Sequence, residues 1–242
     1  MNDAIFKPDR LKIKLFADGA NIEDMQRLAM NPSIQGLTTN PTLMAQAGVK
    51  NYENFAKEVL SFVKDKPISF EVFSDDFDDM ARQANKIAGW GENIYVKIPV
   101  TNTKGESSAS LVKRLASNGV KLNVTALLTL EQVKTIHNVL SAETPAIVSV
   151  FAGRIADTGR DPIPMMMEAK EILADQPSTE LLWASPREVL NVIQADQSGC
   201  DIITATPGIL NKLSKFDYDL EKFSLDTVRM FFNDAQKAKY TL

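Results

Sequence analysis

The sequence predicts an α/β protein, a single (β/α)8 barrel with a helical extension at its C-terminus. Three observations carry this. Short apolar runs rich in Ile, Val, Leu and Phe alternate with longer, charged segments of helical period, the pattern of a parallel sheet with helices outside it. Eight such pairs fit into 242 residues, close to the roughly 250 usual for a TIM barrel. No Pro/Gly/Ser-rich linker divides the chain, and no G-x-G-x-x-G follows the first run, which argues against a two-domain doubly wound fold.

In chain order the strands are expected at Leu11–Asp18, Ile34–Thr38, Pro67–Phe73, Asn93–Pro99, Val120–Thr125, Ala146–Phe151, Glu180–Ser185 and Asp201–Ala205. The helices are expected at Ile22–Met30, Asn51–Lys64, Asp75–Gly89, Glu106–Asn118, Leu130–Ala142, Pro164–Asp175, Pro186–Ala195 and Pro207–Ser214. Boundary residues agree: Thr129 precedes Glu131 and Gln132, Ser185-Pro186 reads as an N-cap followed by proline, and Gly119 stands just past a helix end. One domain thus spans residues 1–242, with a tail from Phe216 to Leu242. Its amphipathic stretch, Leu225–Ala238, is expected to pack on the barrel or on a neighbouring subunit, in a homo-oligomer.

Composition narrows the function. Hydrophobic residues make up 44% and charged residues 24%, which excludes disordered, collagen-like and coiled-coil chains. The net charge is −4 with no basic stripe, so nucleic acid and acidic membrane are poor partners. No stretch approaches the roughly 18 apolar residues a membrane helix needs, and Met1–Arg10 is polar, without the apolar core of a signal peptide. A single cysteine, Cys200, and a single histidine, His137, argue against a Cys/His zinc site and a Ser-His triad. The expectation is a reduced, cytoplasmic protein whose chemistry uses other side chains and no metal.

Those side chains stand out by strand parity. A barrel interior is normally filled by branched aliphatics. Here Lys97 opposes Val96 and Ile98, Glu71 opposes Phe70 and Val72, Asn123 and Thr125 oppose Leu122 and Val124, and Ser149 and Phe151 oppose Val148 and Val150. Asp18 ends the first strand, Asn40 follows the second and Ser185 ends the seventh. With the apolar face under the helices, these polar groups project inward at the carboxyl ends of strands, where such barrels place their active sites.

Within that pocket Lys97 invites two readings. Desolvation in an apolar strand disfavours the ammonium and leaves a neutral amine able to attack a carbonyl and form a Schiff base, with Glu71 and Asp18 as the available proton handlers. A buried ion pair with Glu71 would instead hold the amine charged. Arg154, after the sixth strand, and Arg187, after Ser185, are placed either to grip a phosphate or to form surface salt bridges.

The ordered set Ala17-Asp18, Thr38-Thr-Asn-Pro41, Val96-Lys-Ile-Pro-Val-Thr101, Leu122-Asn-Val-Thr125, Val150-Phe-Ala-Gly-Arg-Ile155 and Ala184-Ser-Pro-Arg187 resembles the transaldolase family, from about Leu15 to Pro207. The resemblance implies a cofactor-free transfer of a dihydroxyacetone unit from a ketose phosphate to an aldose phosphate. Carried over, it makes Lys97 the Schiff-base nucleophile and Asp18 the acid/base at the C4 hydroxyl. Glu71 and Thr125 would hold a relay water. Thr38, Asn40, Asn123 and Ser149 would bind the substrate, and Arg154, Ser185 and Arg187 its phosphate. Small members that cleave fructose 6-phosphate without transfer carry glutamine and tyrosine where this chain has Glu71 and Phe151. A phenyl ring cannot donate the proton that releases the free ketone, so transferase is expected over lyase. Pro186 departs from the bulky aromatic of better-known members. A silent sugar-phosphate-binding barrel is the alternative of another class, and the complete set Lys97, Asp18, Glu71 and Thr125 argues against it. His137, Cys200, Met165–Met167, Trp90 and Trp183 read as packing residues, with lining of the barrel as the alternative for Trp183, which shares parity with Ser185.

Overall fold

The computed structural model describes residues 11–241; Met1–Arg10 and Leu242 lie outside the described residues. Eight parallel strands close in sequence order, β1 (Lys14–Asp18), β2 (Gly36–Thr38), β3 (Ile68–Glu71), β4 (Ile94–Pro99), β5 (Leu122–Leu127), β6 (Ala146–Val150), β7 (Thr179–Trp183) and β8 (Ile202–Ala205), with β8 returning to pair with β1. The helices are α1 (Ile22–Ala29), α2 (Pro41–Gln46), α3 (Tyr52–Phe62), α4 (Phe77–Ala88), α5 (Ala109–Ser117), α6 (Leu130–His137), α7 (Ala152–Asp157), α8 (Ile163–Ile172), α9 (Leu190–Gln197), α10 (Pro207–Leu210) and α11 (Leu220–Ala238). This is the (β/α)8 barrel that the alternating pattern predicts. Among the described residues no helix is long and apolar enough to cross a membrane.

Two helices escape the periodicity, each too short to show one. α2 follows Asn40, whose side chain accepts from Leu43 N at 3.0 Å, with Pro41 at the first helical position. α7 begins directly after Phe151, so Arg154 sits on a helix rather than in a loop. At Thr129 the expected cap is present as a full capping box with Gln132. The expected N-cap at Ser185-Pro186 is not: α9 starts at Leu190, because Asn191 Oδ1 accepts from the backbone of both Arg187 (2.7 Å) and Glu188 (3.1 Å) and holds residues 185–189 as an irregular segment.

The strands divide the core into two layers. Outward residues such as Val96, Ile98, Leu122, Val124, Val148, Leu181, Trp183 and Ile203 are buried under the helices. Inward residues Phe16, Ile147, Leu182, Ala184 and Ile202 form a smaller cluster that fills the barrel. Phe16 dictates its neighbour on β2: a Cβ on Gly36 would lie 2.4 Å from the Phe16 ring, so only glycine leaves room for the phenyl plug.

Trp183 belongs to the outer layer and does not line the barrel. Parity fails here because Ser185 has a left-handed φ of 61°, which re-aims the chain after Ala184. Ala126, φ 65°, does the same beyond Thr125, beside a register shift between Val124 and Leu127.

Beyond β8, a 3-10 turn (Asn211–Lys215) leads into α11, capped by Asp219, whose side chain accepts from Lys222 N at 2.8 Å. Lys215 Nζ lies over the rings of Tyr218 and Phe223, and Tyr218 Oη donates to Asp226 at 2.7 Å. No residue of α11 is buried, although it carries Leu220, Phe223, Leu225, Val228, Met230, Phe231 and Phe232.

Candidate active site

Above the Phe16 plug, at the carboxyl ends of the strands, one pocket is lined by Asp18, Thr38, Asn40, Lys97, Asn123, Thr125, Ser149, Phe151, Arg154 and Ser185 among others. Ten of the sequence-predicted residues meet there. Strand register explains much of this: Glu71 pairs with Lys97 and Lys97 with Asn123, so three inward side chains stand abreast on β3, β4 and β5. Asp18 and Thr38 are paired in the same way on β1 and β2.

Lys97 is 6% exposed in β4, with Nζ 3.1 Å from Glu71 Oε2 and donating to Thr39 O at 3.0 Å. The Lys97–Glu71 contact expected of an ion pair is thus present. It does not remove the nucleophile, since Glu71 stands within direct reach of an ammonium proton. Glu71 itself is supported from behind β3, where Tyr52 Oη donates to the Glu71 carbonyl at 2.8 Å and Tyr52 and Trp90 both meet Phe70 edge-on and each other at a tilt. Tyr52, a helix residue that the sequence does not single out, thus fixes the backbone of a site residue.

Asp18 is half-buried at the mouth, and loss of solvent raises its carboxyl above the usual carboxylate range. Lys97 and the Thr38 hydroxyl pull in the opposite direction, and the charge of Glu71 adds to the rise. Thr38 Oγ1 donates to Asp18 Oδ1 at 2.7 Å.

Asn123 is clamped. Its Nδ2 donates to Ser69 Oγ at 3.0 Å and its Oδ1 accepts from Ser149 Oγ at 2.6 Å, all three being buried. A hydroxyl has one hydrogen, so Ser149, having given its own to Asn123, meets the pocket only as an acceptor. Asn40 spends Oδ1 on the α2 cap and presents its Nδ2 donors. Thr125 Oγ1 is buried without a partner among the described residues, a polar atom that a water or substrate group would satisfy.

At the phosphate end the expected residues separate. Arg154, from α7, lines the pocket with its guanidinium 5.0 Å above the Phe151 ring. Arg187 does not line it: Nε donates to Asp157 Oδ1 at 3.0 Å, and Nη2 is bound to Oδ2 of the same carboxylate. That pair holds the Asp157 carboxyl below the usual range. α7 lies tight against the Ser185 backbone, since a Cβ on Gly153 would fall 1.6 Å from Ser185 O. Glycine is required there by contact, not by dihedral angle.

Leu182, Ala184 and Thr204 also line the pocket without having been expected. On β8 Thr204 shares parity with the inward Ile202, but a threonine in an apolar strand reads as a β-former. Cys200 and His137 lie elsewhere: Cys200 is buried, its thiol pushed up to about 12 by burial, and His137 ends α6 with Nε2 3.2 Å from Asp175.

Known proteins bear on this geometry. The sequence matches the family described as Transaldolase/Fructose-6-phosphate aldolase over residues 15–242. It is 32% identical over 230 residues to a probable transaldolase of Nitrosopumilus maritimus, covering 94% of this chain and 96% of the relative. A probable transaldolase of Carboxydothermus hydrogenoformans is 35% identical over 218 residues, covering 88% and 97%. Among solved structures, KGPDC from Streptococcus mutans superposes with a TM-score of 0.51 at 11% identity, covering 83% of this chain and 90% of that one, a likeness of fold. Sequence match and barrel together make this chain a member of the transaldolase/fructose-6-phosphate aldolase family.

Proposed function

We propose that the protein is a transaldolase, moving a dihydroxyacetone unit from a ketose phosphate such as sedoheptulose 7-phosphate or fructose 6-phosphate to glyceraldehyde 3-phosphate or erythrose 4-phosphate. The observation that carries this is a buried lysine, Lys97, with two carboxylates, Glu71 and Asp18, around it at the mouth of the barrel. Glu71 takes a proton from Lys97, and the freed amine attacks the ketone carbon. Water leaves through a relay held by Glu71 and the unpartnered Thr125 hydroxyl. Asp18 then accepts the C4 hydroxyl proton while the C3–C4 bond breaks and its electron pair moves toward the iminium nitrogen, releasing the aldose and leaving an enamine on Lys97. The enamine attacks the acceptor aldehyde by the reverse steps.

Asn40 and the Ser69–Asn123–Ser149 clamp orient substrate hydroxyls, with Thr38 lining the same wall. Arg154 and Ser185 hold the phosphate, and Arg187 joins them when phosphate displaces Asp157. Phe151 offers no proton to the enamine, which favours transfer over simple cleavage. On this reading the protein works in cytoplasmic pentose phosphate metabolism, as one barrel domain whose α11 tail docks on another copy.

Incubation with fructose 6-phosphate followed by borohydride reduction tests the reading. A mass increase located on Lys97 is expected, and an unmodified Lys97 would sink it. Free dihydroxyacetone appearing as fast without erythrose 4-phosphate as with it would favour the lyase instead.

A further inference from the structure

Thr204, on β8, pairs in register with Phe16 and turns its side chain into the pocket, 6% exposed. Its Oγ1 lies 2.6 Å from Thr38 Oγ1, which in turn lies 2.7 Å from Asp18 Oδ1. Counting hydrogens fixes the direction of this chain. An ionised carboxylate has none to give, so Thr38 donates to Asp18; Thr38 then has none left, so Thr204 must donate to Thr38. Two buried hydroxyls from β8 and β2 therefore point in series at the carboxylate on β1.

We propose that Thr204 is a positioning residue of the reaction: acting through Thr38, it polarises and orients the hydroxyl that stabilises ionised Asp18, and so helps set the pH at which Asp18 can take a proton. The inference rests on the proposed role of Asp18 as the base. A hydrogen bond to the charged form favours that form, and a second donor in line strengthens the first. The charged groups facing Asp18 are Lys97 of β4, which favours the carboxylate, and Glu71 of β3, which opposes it; β2 and β8 contribute the neutral hydroxyls of Thr38 and Thr204. Arg154 of α7 lines the same pocket. Proton uptake from the substrate hydroxyl falls to Oδ2, because Oδ1 already accepts from Thr38.

The test is the pH profile of donor cleavage in Thr204→Val, Thr204→Ser and Thr38→Val. Removing the Thr204 hydroxyl should move the acid limb upward by roughly 0.3–0.7 pH unit, with borohydride still trapping the Lys97 adduct. Thr38→Val should shift it further, and Thr204→Ser should restore the native limb. A purely structural role would lower the melting temperature of Thr204→Val without moving the limb. If Thr204→Val does not fold, Thr204→Ala carries the same comparison. An unshifted limb in the valine or alanine variant, or an equal shift in the serine variant, overturns the inference. Asp18→Ala separates the two levels: retained cleavage there overturns the base assignment itself, whereas lost cleavage with an unshifted Thr204→Val limb overturns only the role of Thr204.

Discussion

Arg187 and Asp157 form a two-point ion pair across the gap between the β7–α9 segment and α7, and that pair keeps Arg187 out of the pocket that Arg154 lines. Both side chains are about half exposed, in the range where an ion pair holds only weakly against a competing anion. Asp157→Asn is expected to free the guanidinium and lower KM for a phosphorylated donor by about two- to fivefold. Steady-state kinetics against fructose 6-phosphate checks this, and an unchanged or higher KM would contradict the proposed recruitment of Arg187.

Asp18 carries the opposite electrostatics. Burial raises its carboxyl above the unfolded value, so ionising it costs native stability. The sign follows: there is no penalty where both states are protonated, and the full penalty applies above the raised native value. Asp18→Asn should therefore melt higher than the native protein at pH 8, with the advantage shrinking as pH falls through that value, while donor cleavage is lost. Melting curves from pH 4 to pH 8 give the answer, and an advantage that grows toward acid would refute the assignment.

Gly153 touches the Ser185 carbonyl, and no rotamer of any larger residue avoids it. Gly153→Ala should force α7 away from the β7–α9 segment at a cost of about 1–3 kcal/mol, lowering Tm by roughly 3–10 °C and raising donor KM together. A variant with native Tm and native KM would show that this contact does not hold the phosphate end in place.

The tail offers a test of assembly. Phe231 and Phe232 are each 63% exposed on a helix with no buried residue, and apolar groups gathered in the open mark interaction sites. A native mass that is a multiple of 26.8 kDa is expected by light scattering, and Phe231→Glu with Phe232→Glu should return it to that of one chain. A native protein already at single-chain mass would exclude the docking of α11 on a second copy.

Barrel and pocket were legible to different depths. The eight strands announce themselves because each is an apolar run of strand length, and Lys97, Glu71 and Asn123 because a polar side chain interrupts such a run on one parity. Parity then misleads where the backbone leaves the β region: left-handed φ angles at Ala126 and Ser185, neither a glycine, carry no signal in the residue type. That is why Trp183, read as a packing residue, packs in the outer layer although its parity with Ser185 would also allow it to line the barrel. Asn40 owes its expected role to resemblance alone, while its cap on α2 was readable in Asn40-Pro41. The Arg187–Asp157 pair joins positions thirty apart, and no local pattern encodes it. Thr204 is concealed for the opposite reason, since nothing is more ordinary in a strand than threonine.

The return of β8 to β1 has a consequence for how the chain tolerates being cut. On one side Lys14 to Ala17 pair with Ile202 to Ala205, so a chain ending before Ile202 keeps an unpaired edge at β1 and another at β7. Open parallel edges recruit other chains. Shortening from the C-terminus should therefore be harmless to solubility down to the 3-10 turn, then abruptly ruinous within β8, a cliff set by closure of the ring and not by the number of residues lost.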